Sequence, residues 1–282
     1  SIYQVLDNSQ ESAKCARQAY AIKPEDPLIE FGLGLALLFN RELVEGFKHL
    51  EARFRYRLKN YLQYPYPKWD GAPNKTIYLV ADQGLGDTLA FSRFIPLLCE
   101  RSKYVHAAIQ PELMRLFVHS FAHIKNFNFF PSGQMFPPAD AWTTFVGLPN
   151  ALGCDAETIR NMPQIEMPVC SVPVNWKVTD RKMHIGIAWG GSPLNDIDRH
   201  RSIPVQEFLE LFSVPGVQLY SLQVGDRAKE MHDIGAAGLI RDLVPYLRDI
   251  TDTLAILRDL DLVICCESAL AHICAAAGKE CF

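Results

Sequence analysis

Apolar residues recur at helical spacing over the first 57 positions and in short buried runs after residue 75, so the chain changes grammar part-way along. Ala13, Ala16 and Ala19 form a stripe that Ile22 continues and Pro24 stops. Further helices are predicted over 27–39 and 42–56, and Gly32, Gly34 and Ala36 let the second of these pack closely on a neighbour. A linker follows at 58–75. Pro65, Pro67 and Pro73 stiffen it, and Tyr61, Tyr64, Tyr66 and Trp69 are expected to dock it onto a domain surface.

Strand and helix then alternate. Strands are predicted at 76–81, 104–110 and 124–130, with a loop and helix at 84–101 and a helix at 111–120; the pattern over 140–153 decides neither state. Residues 163–180, with Pro163, Pro168 and Pro173, read as an inter-domain connection. The alternation restarts with strands at 184–189, 217–223, 238–243 and 262–266 and helices at 204–212, 227–235, 251–260 and 268–277. Two such runs predict an α/β fold of two Rossmann-like parallel-sheet domains, at 76–165 and 166–282, with ligands bound in a cleft between them. Residues 278–281 read as the start of another strand, so the second sheet is expected to be incomplete and the chain to be a fragment at both ends.

Composition narrows the function classes. With Lys+Arg 28 against Asp+Glu 32 the net charge is −4, so no basic field points to nucleic acid. The longest apolar run, 31–39, falls far short of the roughly 20 residues that span a bilayer. The chain begins with Ser1, so a leader upstream is left open. Eight cysteines include no Cys-x-x-Cys pair, and several lie in apolar runs such as Val263-Ile-Cys-Cys266. This usage predicts free thiols in a reducing, cytoplasmic compartment and no zinc site.

Three segments could carry chemistry. The first, Ala81-Asp-Gln-Gly-Leu-Gly-Asp-Thr-Leu89, takes a strand through a glycine turn into a helix. Gly84 and Gly86 are expected to supply positive φ and close approach. Asp87 is either a helix cap or a carboxylate at the ligand crevice. The segment lacks the third glycine of a dinucleotide fingerprint and the Gly-Lys-Ser/Thr of a P-loop, which argues against a dehydrogenase or a P-loop NTPase.

The second segment, Ile187-Ala-Trp-Gly-Gly191, precedes Arg199, His200 and Arg201. Gly190 and Gly191 beside cations suit a phosphate, and a solvated basic loop is the plainer alternative. In the third, a strand ends at Glu267 and Ser268 opens a helix whose first amides, from Ala269 on, form an anion site. Glu267 could accept hydrogen bonds from sugar hydroxyls. His272 is either a ligand contact or a packed core residue. Gln223, at the end of its strand, could touch a nucleotide.

The first 57 residues resemble tetratricopeptide repeats, on Ala16-x-x-Ala-Tyr-Ala-Ile-Lys-Pro24, Gly32-Leu-Gly-Leu-Ala-Leu37 and Glu45-Gly-Phe47; a plain helical hairpin is the alternative. From about Trp69 onward the chain resembles the heptosyltransferase-like glycosyltransferases of the GT-B fold (glycosyltransferase family 9 type), in the branch fused to such repeats. The marks are Gln83-Gly-Leu-Gly-Asp-Thr-Leu-Ala-Phe-Ser-Arg-Phe-Ile-Pro-Leu-Leu98, Ile187-Ala-Trp-Gly-Gly191, Arg201-Ser-Ile-Pro204, Ser221-Leu-Gln223 and Glu267-Ser-Ala-Leu-Ala-His272.

The resemblance implies metal-independent, inverting transfer from a nucleotide-diphospho-sugar, with no cofactor. It implies Asp87 as general base, with Arg201, Ser268 and the following amides on the donor diphosphate. Glu267 stands where the family carries an Asp on the donor sugar, a departure of one methylene. The repeats would present a protein partner or acceptor. The competing reading is a non-catalytic interaction protein on a degenerate GT-B scaffold.

Overall fold

A computed structural model describes residues 8–56, 64–133, 137–162, 176–178, 183–191 and 198–282. Most of the predicted 163–180 connection and the N-terminal end of the linker lie outside the described residues. The chain gathers into two compact units, Ser1–Val80 with Phe94–Ala107 and Met135–Pro163, and Ala81–Arg93 with Ala108–Gln134 and Gln164–Phe282.

In the first unit, helices α1 (Ser9–Ile22), α2 (Pro27–Phe39), α3 (Leu43–Leu50) and α4 (Arg53–Tyr56) pack together. Asp26 caps α2 by accepting from the N–H groups of Leu28 and Ile29, and Pro27 takes the first helical position. Ala13, Leu33 and Leu37 form the buried centre. A Cβ on Gly34 would lie 2.6 Å from the backbone nitrogen of Leu50. That explains the small residue there.

The helix predicted over 42–56 is broken at Glu51 and Ala52, and a buried side chain accounts for the break. Arg53, 2% exposed, donates to the Leu50 carbonyl, to Glu51 and to Thr144 Oγ1 at 2.9 Å. A guanidinium this buried must find acceptors, and a turn after α3 delivers it to them.

The linker docks as expected. Trp69 donates its backbone N–H to the Trp142 carbonyl at 2.7 Å, and Pro67 accepts from the Trp142 N–H at 3.0 Å. Tyr64 packs on Tyr78 and Trp142. Gly71 turns with φ +89°, where a Cβ would lie 2.2 Å from the Ala151 carbonyl oxygen.

Strand β1 (Thr76–Val80) is followed by α5 (Leu85–Ser92), α6 (Ile95–Arg101), β2 (Tyr104–Ile109), α7 (Met114–Phe121), β3 (Phe127–Pro131), β4 (Ala141–Thr144), α8 (Leu148–Leu152) and α9 (Ala156–Asn161). The first sheet has the order β3-β2-β1-β4, with β1 and β4 parallel and Ile77 opposite Ala141. The undecided 140–153 stretch thus supplies β4 and α8. Four residues buried end to end give β4 no alternation to read.

The second sheet holds β5 (Met183–Ala188), β6 (Val217–Ser221), β7 (Arg241–Asp242) and β8 (Leu262–Cys265), in the order β7-β6-β5-β8, and every pair is parallel. Helices α10 (Glu230–Asp233), α11 (Ile250–Asp259) and α12 (Ala269–Ala276) complete it. The chain therefore has two four-stranded sheets with helices, a GT-B-like α/β fold. Residues 280–282 pair with β8 through an isolated parallel bridge, Val263 opposite Cys281: Val263 donates to the Glu280 carbonyl and Phe282 to the Val263 carbonyl.

In the run that builds the second sheet, three predicted elements differ. The helix at 204–212 is a 3-10 helix, Val205–Ser213, whose three-residue spacing stacks Val205, Phe208 and Leu211 on the core of the second sheet. The helix at 227–235 splits into a 3-10 turn and α10, ended by left-handed Gly235. The strand at 238–243 shrinks to two residues.

Among the described residues the seven thiols are free. Burial pushes Cys99 up to about 12, which keeps it protonated and inert. No helix among the described residues is long and apolar enough to cross a membrane.

Within the second unit, Asp252 on α11 accepts from Arg248 at 2.8 Å and from Arg115 of α7 at 2.6 Å. Arg248 first, then Arg115, hold its carboxyl at about 2, below its usual 3.8. The stabilisation is therefore full above pH 3.8 and is lost as pH falls through about 2. Asp252→Asn should destabilise the protein by about 2 kcal/mol at pH 7. In urea denaturation the difference from wild type should vanish in strong acid; a constant difference would contradict the pairing.

Candidate functional site

The three segments singled out in the sequence all follow the carboxyl ends of strands, where open α/β sheets bind ligands. After β1, Gly84 is the N-cap of α5 with φ −68°. Neither Gly84 nor Gly86 has positive φ, so the expected left-handed turn is absent. What Gly86 provides is closeness. A Cβ there would lie 2.5 Å from His272 Cδ2 and 3.1 Å from Ala269 Cα. Helices α5 and α12 meet at this point, and the His272 ring is the packing surface. Gln110 fixes the approach by donating to the Gln83 carbonyl at 3.0 Å.

Asp87 is half-buried at the third position of α5. Its Oδ2 accepts from the Gly84 N–H at 3.1 Å, closing the helix end. Oδ1 makes no hydrogen bond to any described residue. The capping reading is thus realised, and it leaves one carboxylate oxygen without a hydrogen bond among the described residues.

After β5 the chain runs over Gly190 and Gly191. Gln223, 3% exposed at the end of β6, holds this loop. Its Oε1 accepts from the N–H groups of Trp189 and Gly190 at 2.9 and 2.8 Å. Its Nε2 donates to the carbonyls of Gly190 and Val224 at 3.1 and 3.0 Å. Both functions of the amide are engaged with backbone, so Gln223 shapes the loop.

Two arginines lie on the glycines. A Cβ on Gly190 would come within 2.1 Å of Arg227 Cδ, and one on Gly191 within 2.3 Å of an Arg201 terminal nitrogen. Both guanidiniums bind the buried carboxylate of Asp198, Arg227 at 2.7 Å and Arg201 at 3.3 Å. Desolvation alone would raise the Asp198 pKa. Hydrogen bonds from Arg227, Ser202 and Arg201 outweigh it and hold the carboxyl below its ordinary value.

After β8, Glu267 is exposed, with Oε2 3.9 Å from Arg201. Ser268 is the N-cap of α12 but makes no side-chain cap bond. The amides of Ala269 and Leu270 therefore lack acceptors within the helix.

A cavity of about 530 Å³ joins these parts. Gly190, Gly191, Gln223, Arg227, Ser268 and Ala269 line it, with Leu222, Val224 and Leu270 as apolar wall. Arg201 reaches the lining residue Gly191, but Arg201, Glu267, Asp87 and His272 are not themselves part of the lining. His200 is exposed. Among the described residues no group of three His, Cys, Asp or Glu side chains is set to hold a metal ion. Sequence reasoning missed Asp198 and Arg227. The signal was available: Asp198 opens the basic stretch already noted, and Arg227 follows Gln223 by four residues beyond a glycine.

No family model matches the chain. Protein FlbA of Caulobacter vibrioides is 23% identical over 287 residues, covering 92% of this chain and 48% of that protein. The chain thus spans about half the length of the curated relative it matches. Among solved structures, the iron-containing dodecameric glycosyltransferase TibC from enterotoxigenic E. coli is similar with a TM-score of 0.52 and 10% identity, over 78% of this chain and 59% of that one. TibC in complex with ADP-D-beta-D-heptose gives a TM-score of 0.52 and 11% identity, over 74% and 58%. At this identity the likeness establishes the shared fold.

Proposed function

We propose that the chain is the glycosyltransferase portion of a protein that transfers a sugar from a nucleotide-diphospho-sugar to an acceptor hydroxyl, with inversion and without a metal. The observation that carries this reading is the cavity in which an uncapped helix N-terminus faces a glycine loop covered by arginines. That is an anion site of the size and sign a diphosphate needs. The similar TibC, crystallised with ADP-D-beta-D-heptose, supports a nucleotide-sugar as the ligand class.

In this mechanism Asp87 Oδ1 takes the proton of the acceptor hydroxyl. The acceptor oxygen bonds to the anomeric carbon as the bond from that carbon to the diphosphate breaks. The electron pair leaves on the diphosphate, where Arg201 and the Ser268–Ala269 turn stabilise the added charge. Glu267 accepts from sugar hydroxyls, and Gln223 holds the loop beneath. Helices α1–α4 belong to a repeat array that presents a protein acceptor or partner, and the free thiols suit a cytoplasmic setting.

A thermal-shift panel of ADP-, UDP-, GDP- and TDP-sugars tests the reading. At 100 times its Kd a true donor should stabilise the protein by about 2.7 kcal/mol, and Arg201→Ala should abolish the shift. A folded protein that responds to none of them would instead be an interaction scaffold.

A further inference from the structure

The assignment above leaves Arg227 and Asp198 without a role, yet they are the most closely organised charged groups at the cavity. Arg227 lines it beside Ser268 and Ala269. Its terminal nitrogens contact Asp198 at 2.7 Å and Glu230 at 3.1 Å. Its Nε is buried and has no acceptor among the described residues. A glycine at position 190 is what allows this side chain to lie across the loop.

We infer that Arg227 is a second cation of the donor diphosphate subsite and that Asp198 is the positioning residue aligning Arg227 with Arg201. The inference rests on the proposed function. It adds that the site is built for two linked phosphoryl groups instead of one. Asp198 is 4% exposed and uses one oxygen on each arginine, so the two guanidiniums keep a fixed separation. Two cations on one buried anion leave a net positive charge beside the uncapped end of α12. Glu230, Glu267 and Asp226, which also lines the cavity and pairs with Lys229, temper that charge from the exposed side, and a dianionic ligand can displace the contacts of Glu230 and Glu267 at little cost because both are solvated.

A diphosphate can place one phosphoryl group on each cation, and a single phosphate cannot. Arg227 should therefore set selectivity for nucleoside diphosphate over monophosphate. The charge on the leaving group grows during transfer, so Arg227 should matter more for the released nucleoside diphosphate than for the donor.

The test is calorimetric titration of ADP, UDP, GDP and TDP and of the matching monophosphates into the wild-type chain, followed by the preferred pair into variants. Arg227→Ala should weaken diphosphate binding about 10- to 100-fold and monophosphate binding less than about threefold. Arg227→Lys, which keeps the charge but not the fork, should fall between, and it carries the test if the alanine variant fails to fold. Asp198→Asn should lower the diphosphate-to-monophosphate ratio with the melting transition intact, and Asp198→Glu should recover part of it; a purely structural Asp198 would move both nucleotides together. Wild-type binding of a diphosphate that neither Arg227 variant weakens overturns this inference alone. A wild-type chain that binds none of the four overturns the proposed function and this inference with it.

Discussion

Replacing Asp87 by Asn should reduce sugar transfer by about 10²- to 10⁴-fold while leaving donor binding unchanged. The substitution is clean for a structural reason. Asp87 has two duties, and they fall on different oxygens: Oδ2 accepts from the Gly84 N–H, and Oδ1 is open. Asn can still accept from Gly84 through its amide oxygen, so α5 keeps its closed end, but it cannot take a proton. Asp87→Ala removes both functions and should also lose about 0.5–2 kcal/mol of stability. Turnover by Asp87→Asn at the wild-type rate would remove Asp87 as the base. Equal loss of rate and stability in both variants would mean that Asp87 is a cap and nothing more.

The largest effect on stability is expected at Gly71. Gly71→Ala should destabilise the first unit by about 2–6 kcal/mol, in two parts. An L residue at φ +89° costs about 1–3 kcal/mol. The new Cβ would also press on the Ala151 carbonyl oxygen, which belongs to the backbone of α8 and cannot rotate aside, adding about 1–3 kcal/mol. Gly133 is the control: its φ is +92° with nothing within 4 Å among the described residues, so Gly133→Ala should show only the backbone part. Urea denaturation followed by the fluorescence of buried Trp69 reads the first. Equal midpoint shifts at the two positions would mean that the Ala151 contact relaxes freely.

Much of this molecule was legible from the chain alone. The strands at 76–81 and 184–189 are continuous apolar runs, and they proved to be central strands of their sheets. Asp26-Pro27 marks the start of α2 without ambiguity. What stayed hidden was what depends on partners distant in sequence. Arg53 reads as an ordinary surface cation on a helix, and only its contact with Thr144 shows why the helix breaks. Gly86 reads as a glycine for positive φ and close approach, and only the structure shows that the approach is by His272 of its own chain and that no positive φ is used. Gln223 was visible as a candidate, but its four bonds to backbone were not. Asp198 and Arg227, 29 residues apart, meet only because β5 and β6 end side by side.

The pairing of β1 with β4 has a consequence for how the chain folds as it leaves the ribosome. Helices α1 to α4 touch their neighbours in sequence, so they can assemble as soon as they are made. The edge of β1 must wait, because Thr76 meets Asp140 only 64 residues later. Arg53 waits longer still: its acceptor on Thr144 lies 91 residues on. Throughout that interval the nascent protein carries an open strand edge and a guanidinium still lacking its Thr144 acceptor, the kind of surface that holding chaperones cover and that aggregates when they do not. Completion of β4 closes both at once.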